Sequence, residues 1–394
     1  MTDYDADGYL DPTKPRALEG ITVVDFSRVL AGPTCTRMLA DAGARVIKIE
    51  RPGVGDDTRQ MGPFGDDGSS EYYRLANVGK ESIAVDLKDP DDMELVRSMI
   101  KHADVVVENF RPGVMAGLGL APDDLVAQHP RLIVCSISGF GQYGPMRQEP
   151  AYDTVVQALS GIMDGTGWPD GLPTRVGTSI ADIAGGIMGY SGVVTALVAR
   201  ERTGRGTTVD IAMLDSTFVL MQQCLMDVLG RRVRPTRLGN RHPFMYPFDT
   251  FECSDRPIAI AVGNDHLFEI LCNALGLTHL PADALFAANV DRCANHVELK
   301  TAMEEVLRTD TCESWHGRLV DAGVPVGMVL NIEDTCKLDQ ITARDMIKNV
   351  GGFDVPGTPL KFGTWDSVGT TIPSPDLDDC GEKLRREFAP RGDA

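Results

Sequence analysis

The chain has 394 residues, 43% of them hydrophobic, with 57 acidic against 38 basic side chains and a net charge of −19. That length and apolar content predict a folded protein of two domains, because single cores seldom grow past about 250–300 residues. The acidic balance argues against nucleic acid or an anionic membrane as the main partner, yet leaves room for a small anionic ligand held by local Arg and Lys.

In chain order, the acidic opening MTDYDADGYLDPTKPRALEG has no apolar signal core. No later run approaches the roughly 18 apolar residues of a membrane span, so a cytoplasmic protein without a membrane partner is expected. ITVVDF (21–26) reads as a buried strand, Pro33 opens a helix through CTRMLADAG, and RVIKIE (45–50) reads as the next strand. SIAVDL (82–87), a helical DPDDMELVRSMIKHA and DVVVENF (104–110) repeat the pattern, and RLIVCSIS (131–138) adds another strand. This order predicts parallel pairing with right-handed crossovers, hence a Rossmann-like α/β domain whose ligands meet the carboxyl ends of the strands.

From Ala151 to Glu201 the pattern is helical, broken by the turn-rich DGTGWPDGLPTRVG; TTVDIAML (207–214) is a further strand before the helical STFVLMQQCLMDVL. The basic, irregular RRVRPTRLGNR marks a boundary. TFECSDRPIAIAVG then reads as a two-strand hairpin, helical segments to about Ala322 suggest a smaller α+β unit, and the Pro- and Gly-rich tail shows helix only near its end. The expected domains are residues 1–225 (large, α/β), 226–325 (small, α+β) and 326–394, a C-terminal segment returning to the large domain.

Common chemical motifs fail. Gly79-Lys80 lacks the upstream glycine of a P-loop, no strand precedes a GxGxxG, and the segment around Ser179 is one residue from a GxSxG elbow with a poor strand before it. Seven histidines show no metal spacing, so no metal site is expected. Nine cysteines scattered from Cys35 to Cys380 without a CxxC pair read as reduced thiols.

SIADIAGGIMGY (179–190) places one carboxylate, Asp182, among small and apolar residues. An unpaired buried carboxylate costs several kcal/mol, so it has partners or the site needs it. Two readings stand. Ser179 and Asp182 have the spacing of a capping box at a helix start. Alternatively, Asp182 is a carboxylate nucleophile ringed by Ala and Gly that leave room for a bulky substrate. Loops at the strand ends carry Arg51, Lys88 and Arg111, which could converge on a phosphorylated ligand.

With these blocks in view the chain resembles the class III coenzyme A transferases of CaiB/BaiF type, which include formyl-CoA transferase and carnitine CoA-transferase. LEGITVVDFSRVLAGP, IKIERPGVGDDTR, GKESIAVDLK, ADVVVENFRPGV, SGFGQYGP, PAYDTVVQALSG, SIADIAGG and GRGTTVDIAML carry the resemblance over almost the whole length. It implies that Asp182 is the nucleophile, that Arg51 and Lys88 meet the CoA phosphates, and that Ala31, Val85, Asn109 and Arg111 lie in CoA-contacting loops. Asp153 falls on an active-site position, orienting substrate or water or else lying innocently on a helix surface.

Two departures qualify the substrate: Leu30 replaces a glutamine of formyl-CoA transferase, and Leu-Gly-Asn240-Arg-His-Pro243 replaces its glycine-rich lid, which argues against formate and oxalate. Racemases of the same fold use a histidine where this chain has Tyr152, a poor base at neutral pH, so a transferase is favoured over a racemase-like epimerase or a non-catalytic acyl-CoA binder. The resemblance further implies an interlocked homodimer, acyl-CoA and a small carboxylic acid as substrates, an aspartyl anhydride and aspartyl-CoA thioester as intermediates, and no permanently bound cofactor. A helix N-terminus beside Asp182 is expected to lower its pKa.

Overall fold

The computed structural model describes residues 13–389; most of the acidic opening stretch lies outside them. Six strands, β1 (Thr22–Asp25), β2 (Arg45–Glu50), β3 (Lys80–Ala84), β4 (Val105–Glu108), β5 (Ile133–Ser138) and β6 (Thr208–Ala212), form one sheet in the order β3-β2-β1-β4-β5-β6. Every neighbouring pair is parallel. The strands β4 and β5 are buried along their whole length, which is why they read as unbroken apolar runs. Chain order reverses between β1 and β4, so the ligand crevice is expected just past Asp25 and Glu108.

The strand expected at 82–87 begins two residues earlier, at Lys80. Lys80 is wholly buried and paired with Asp25 of β1 at 3.1 Å, and a charge inside a sheet is invisible to a pattern of apolar residues. The helix expected to open at Pro33 starts at Ala31 and runs to Asp41.

The helix Ile180–Thr203 is the longest of the described residues. With a mean hydropathy of 1.4 it is long and apolar enough, by composition alone, to cross a membrane, contrary to the expectation that no run would be. Its apolar face is spent on packing. A Cβ built on Gly186 would stand 2.6 Å from Thr34 Cβ and 2.7 Å from the Ala31 carbonyl, and one on Gly189 would stand 2.7 Å from Ile137 Cδ1. The glycines therefore admit the helix Ala31–Asp41 and β5 to close contact, and the small residues after Asp182 are not there as room for substrate.

By contacts the chain forms two units. One holds the chain up to Ile162, Arg175–Met221 and the chain from Leu338; the other holds Met163–Thr174 and Gln222–Lys337. The second unit contains an antiparallel sheet of β7 (Phe248–Glu252), β8 (Pro257–Ala261) and β9 (Val326–Met328). Its core gathers Tyr246, Phe251, Phe268, Leu271, Trp315 and Leu319. Because β9 pairs with β8, the first unit resumes at Leu338 and not at residue 326. The tail holds more than an end helix: β10 (Ile347–Val350) pairs with β11 (Phe353–Pro356). Ahead of the helix Gly381–Glu387, Asp378 accepts the Ala84 N–H at 2.8 Å and the Cys380 N–H donates to the Ser82 carbonyl at 3.1 Å, covering the β3 edge.

Gly186→Val is expected to cost about 1–3 kcal/mol by overpacking. Gly177→Ala, where an added Cβ meets nothing within 4 Å, should stay within about 0.5 kcal/mol of the parent. Denaturant unfolding of the two variants tests this pair, and equal losses would contradict the packing role.

Candidate active site

The turn after β1 shapes the crevice. Asn109, just past β4, accepts the Arg28 N–H at 2.9 Å and donates to the Arg28 carbonyl at 2.7 Å. Asp56, beyond β2, accepts the Val29 N–H at 3.2 Å. Val29 has φ +66°, a region a β-branched residue seldom enters, so the turn is held under strain by its neighbours. It leads into the helix Ala31–Asp41, where Leu30 occupies the N-cap and supplies no capping bond. The first N–H groups of that helix are thus left without the usual side-chain acceptor.

Two cavities adjoin here. A larger one, about 510 Å³, is walled by Arg28, Arg51, Val85, Lys88 and Phe110, among others. A smaller one, about 140 Å³, is walled by Leu30, Ala31, Asn109, Arg111, Tyr152 and Asp182, again among others. Arg28 and Phe110 belong to both walls. Of the three strand-end cations expected to converge, Arg51 and Lys88 share the larger cavity, while Arg111 stands in the smaller one with Asp182. Asp57 holds Arg51 at 2.6 Å and Arg28 at 2.7 Å. The exposed side chain of Lys88 has no ion-pair partner among the described residues.

Beneath the larger cavity the charges are buried and paired. Lys48 Nζ lies 2.9 Å from Asp56 and donates to the Ser27 carbonyl at 2.7 Å. Burial alone would raise the Asp56 carboxyl, but Lys48 and the Thr58 N–H outweigh it and bring it down to about 2. The same contest, with Lys80 and Lys48 on the winning side, holds the Asp25 carboxyl below its ordinary value.

Asp182 is the opposite case. Its carboxylate has no hydrogen bond or ion pair among the described residues. Burial, then the charge of Asp153, pushes its pKa up to about 7. The expected lowering by the helix N-terminus is therefore overturned, because desolvation outweighs the dipole. Nor does Ser179 cap the helix: its side chain makes no capping bond. That duty falls to Asp153, a buried residue of the helix Asp153–Leu159, not an exposed one. Its Oδ1 accepts the Ala181 N–H at 2.9 Å and its Oδ2 accepts from Gln157 Nε2 at 2.7 Å. Gln157 in turn takes the Val176 N–H at 2.9 Å, tying down the segment before the long helix.

Tyr152 is 72% exposed at the rim of the smaller cavity. Arg28 and Arg147, both in the cavity wall, are not among the residues that sequence reading marks, although Arg28 directly follows the first strand as the other strand-end cations follow theirs. Sequence reading also misses Tyr72, in the helix Glu71–Asn77. Burial, then the charges of Asp182, Asp56 and Asp153, raises the Tyr72 hydroxyl above its ordinary pKa and keeps it a neutral donor. Its helix carries no motif that could have marked it.

The family model for CoA-transferase family III matches residues 18–379. The chain is 47% identical over 380 residues to acetyl-CoA:oxalate CoA-transferase of Acetobacter aceti, an alignment covering 96% of this chain and 97% of the relative. It is 40% identical to succinate–glutarate CoA-transferase of Agrobacterium fabrum, covering 89% and 92%. The crystal structure of a CAIB/BAIF family protein from Brucella suis superposes with a TM-score of 0.85 at 37% identity, covering 95% of this chain and all of that one. The chain therefore belongs to CoA-transferase family III, and it is an enzyme of that class. The first of these relatives is named for acetyl-CoA and oxalate, the second for succinate and glutarate.

The unpaired charge of Asp182 has a measurable cost. Its folded pKa of about 7 exceeds the ordinary 3.8, so its contribution to stability is complete below pH 4 and lost as pH rises through 7. Asp182→Asn should match the parent near pH 4 and exceed it at pH 8 by up to about 4 kcal/mol. Denaturant unfolding at the two pH values decides the matter; no gain at pH 8 would mean that Asp182 is well solvated or paired.

Proposed function

We propose that this enzyme moves CoA from an acyl-CoA to a carboxylic acid by covalent catalysis at Asp182. The observation that supports it is the partnerless, desolvated carboxylate in a cavity wall at the β1–β4 crevice, on the residue that the family resemblance marks as the nucleophile. An Asp182 oxygen attacks the thioester carbonyl, the C–S bond breaks, and a mixed anhydride and CoA thiolate result. The thiolate attacks the aspartyl carbonyl and expels the donor carboxylate, leaving an aspartyl-CoA thioester. The acceptor carboxylate attacks that thioester and expels CoA thiolate, giving a second mixed anhydride; the thiolate attacks its acyl carbonyl, forming the new acyl-CoA and releasing the Asp182 carboxylate. No proton or electron is consumed, and overall one thioester is exchanged for another of similar energy, with the uphill anhydrides as intermediates.

The surroundings suit this chemistry. Loss of hydration makes the Asp182 carboxylate a stronger nucleophile, while its pKa of about 7 leaves much of it ionised at neutral pH. The uncapped N-terminus at Ala31, in the same cavity wall as Asp182, offers donors to the oxyanions that develop. Arg51 and Lys88 would take the CoA phosphates in the larger cavity, with Asp57 keeping Arg51 in place until they arrive. Ala31, Val85, Asn109 and Arg111 would contact the carrier along the two cavities. Following the resemblance, we also propose an interlocked homodimer in the cytoplasm, which light scattering on the purified protein would check.

Asp182→Ala should abolish exchange, and hydroxylamine added with a competent acyl-CoA should modify the Asp182 peptide of the parent enzyme. An unmodified peptide, or turnover surviving in Asp182→Ala, would overturn the nucleophile. Deuterium uptake at the α-carbon without any acceptor acid would favour the racemase chemistry instead. The kcat/KM for the donor should rise with pH through about 7 as Asp182 ionises. Burial also lifts Glu108, at the end of β4, to about 7, so the same profile in Glu108→Gln assigns the ionisation to Asp182.

A further inference from the structure

The second unit contains a cavity of about 370 Å³ whose wall includes Arg231, Arg234 and Arg241 against a single acid, Asp227. In a chain with 57 acidic and 38 basic residues, that is a local reversal of sign. The neighbouring Arg237 is fully engaged by Asp164 and by the Trp168 and Gly171 carbonyls, and serves the scaffold. The three arginines of the wall are not so engaged. Arg231 has one bond to Asp227 at 2.8 Å and lies 5.6 Å from the centroid of the Phe244 ring, and Arg234 reaches Asp164 only at 3.8 Å with its side chain 86% exposed.

Arg241 is the most telling. It is half-buried, its backbone N–H is satisfied by the Leu238 carbonyl, and its guanidinium has no hydrogen bond or ion pair among the described residues. Its charge bears on the Tyr246 hydroxyl, which is itself buried with no hydrogen-bond partner. A half-buried guanidinium without an anion is costly, and a planar carboxylate is the ligand its fork fits best. Phe244, in the same wall, supplies an apolar surface for a short carbon chain.

We propose that this cavity binds the carboxylate of a short aliphatic dicarboxylic acid, with Arg241 as its principal partner and Arg231 and Arg234 adding charge. The cavity lies wholly within the second unit, so the proposal goes beyond the transferase reading and does not depend on it: free dicarboxylate binds here.

The test titrates succinate, and propionate as its monocarboxylate counterpart, into the full-length enzyme by calorimetry. Arg241→Gln should weaken succinate binding by about tenfold or more, Arg241→Lys by less, and Arg234→Gln modestly, with propionate little changed in any of them. Melting temperatures within a degree or two of the parent show that the variants fold. Equal succinate affinity in the parent and Arg241→Gln, or propionate bound as tightly as succinate, would overturn the proposal. Asp182→Asn should bind succinate as the parent does, so transfer surviving in that variant would sink the nucleophile without touching this site.

Discussion

The contact between the helices Ile180–Thr203 and Ala31–Asp41 fixes everything else about the site. Gly186 lies so close to the Ala31 carbonyl that no side chain fits between them. That closeness places the first turn of one helix, with Asp182, against the first turn of the other, with Leu30 and Ala31. Both turns end in the same small cavity. Ordinary helix pairs keep axes 8–10 Å apart, with side chains between the backbones. Glycine removes that spacer here, and the proposed nucleophile and proposed oxyanion donors become neighbours as a result of packing.

The crevice handles buried charge in two contrasting ways. Under the larger cavity, Lys48 with Asp56 and Lys80 with Asp25 are paired and further hydrogen-bonded to hydroxyls and carbonyls. Such pairs are poor sources of net stability, but losing one partner would be severe, so they lock the turns after β1 and β2. Asp182 is left unpaired a short way off, and a second carboxylate, Asp153, adds to the cost. Asp153 could be replaced as a helix cap by a neutral serine, as the sequence invites at Ser179. A charged cap supplied from another helix ties the approach to Asp182 to Gln157 and Val176, and keeps the acid basic.

Much of this was legible in the residues. The parallel sheet, the helix carrying Asp182 and the cation-bearing strand ends all follow from alternation of apolar runs with turn signals. What was not legible depended on long-range partners. Lys80 reads as a surface residue until Asp25, 55 positions earlier, is seen beside it. Ser179 has every local mark of a cap, but Asp153 arrives from another helix and takes the N–H. The glycines of SIADIAGGIMGY look like space around a nucleophile, whereas the space is filled by Thr34, Cys35 and Ile137. Tyr72 carries no local mark at all, because its significance lies in the three carboxylates around it.

The pKa of Asp182 near 7 joins these points. A carboxylate at its ordinary value would be fully ionised but weakly nucleophilic, and its acyl anhydride would be formed slowly. One raised much further would be a better nucleophile that is rarely ionised at neutral pH. A value close to the working pH balances the two, which is the optimum expected for any group whose reactivity rises with basicity. Desolvation alone could overshoot, and pairing with any of the nearby arginines would bring the value back towards 4. Arg28, Arg111 and Arg147 line the same cavity wall, yet none makes an ion pair with Asp182. On the proposed mechanism the cations are kept for the anionic carrier and the departing carboxylate, and the fold's task is as much to hold them off the nucleophile as to bring them near.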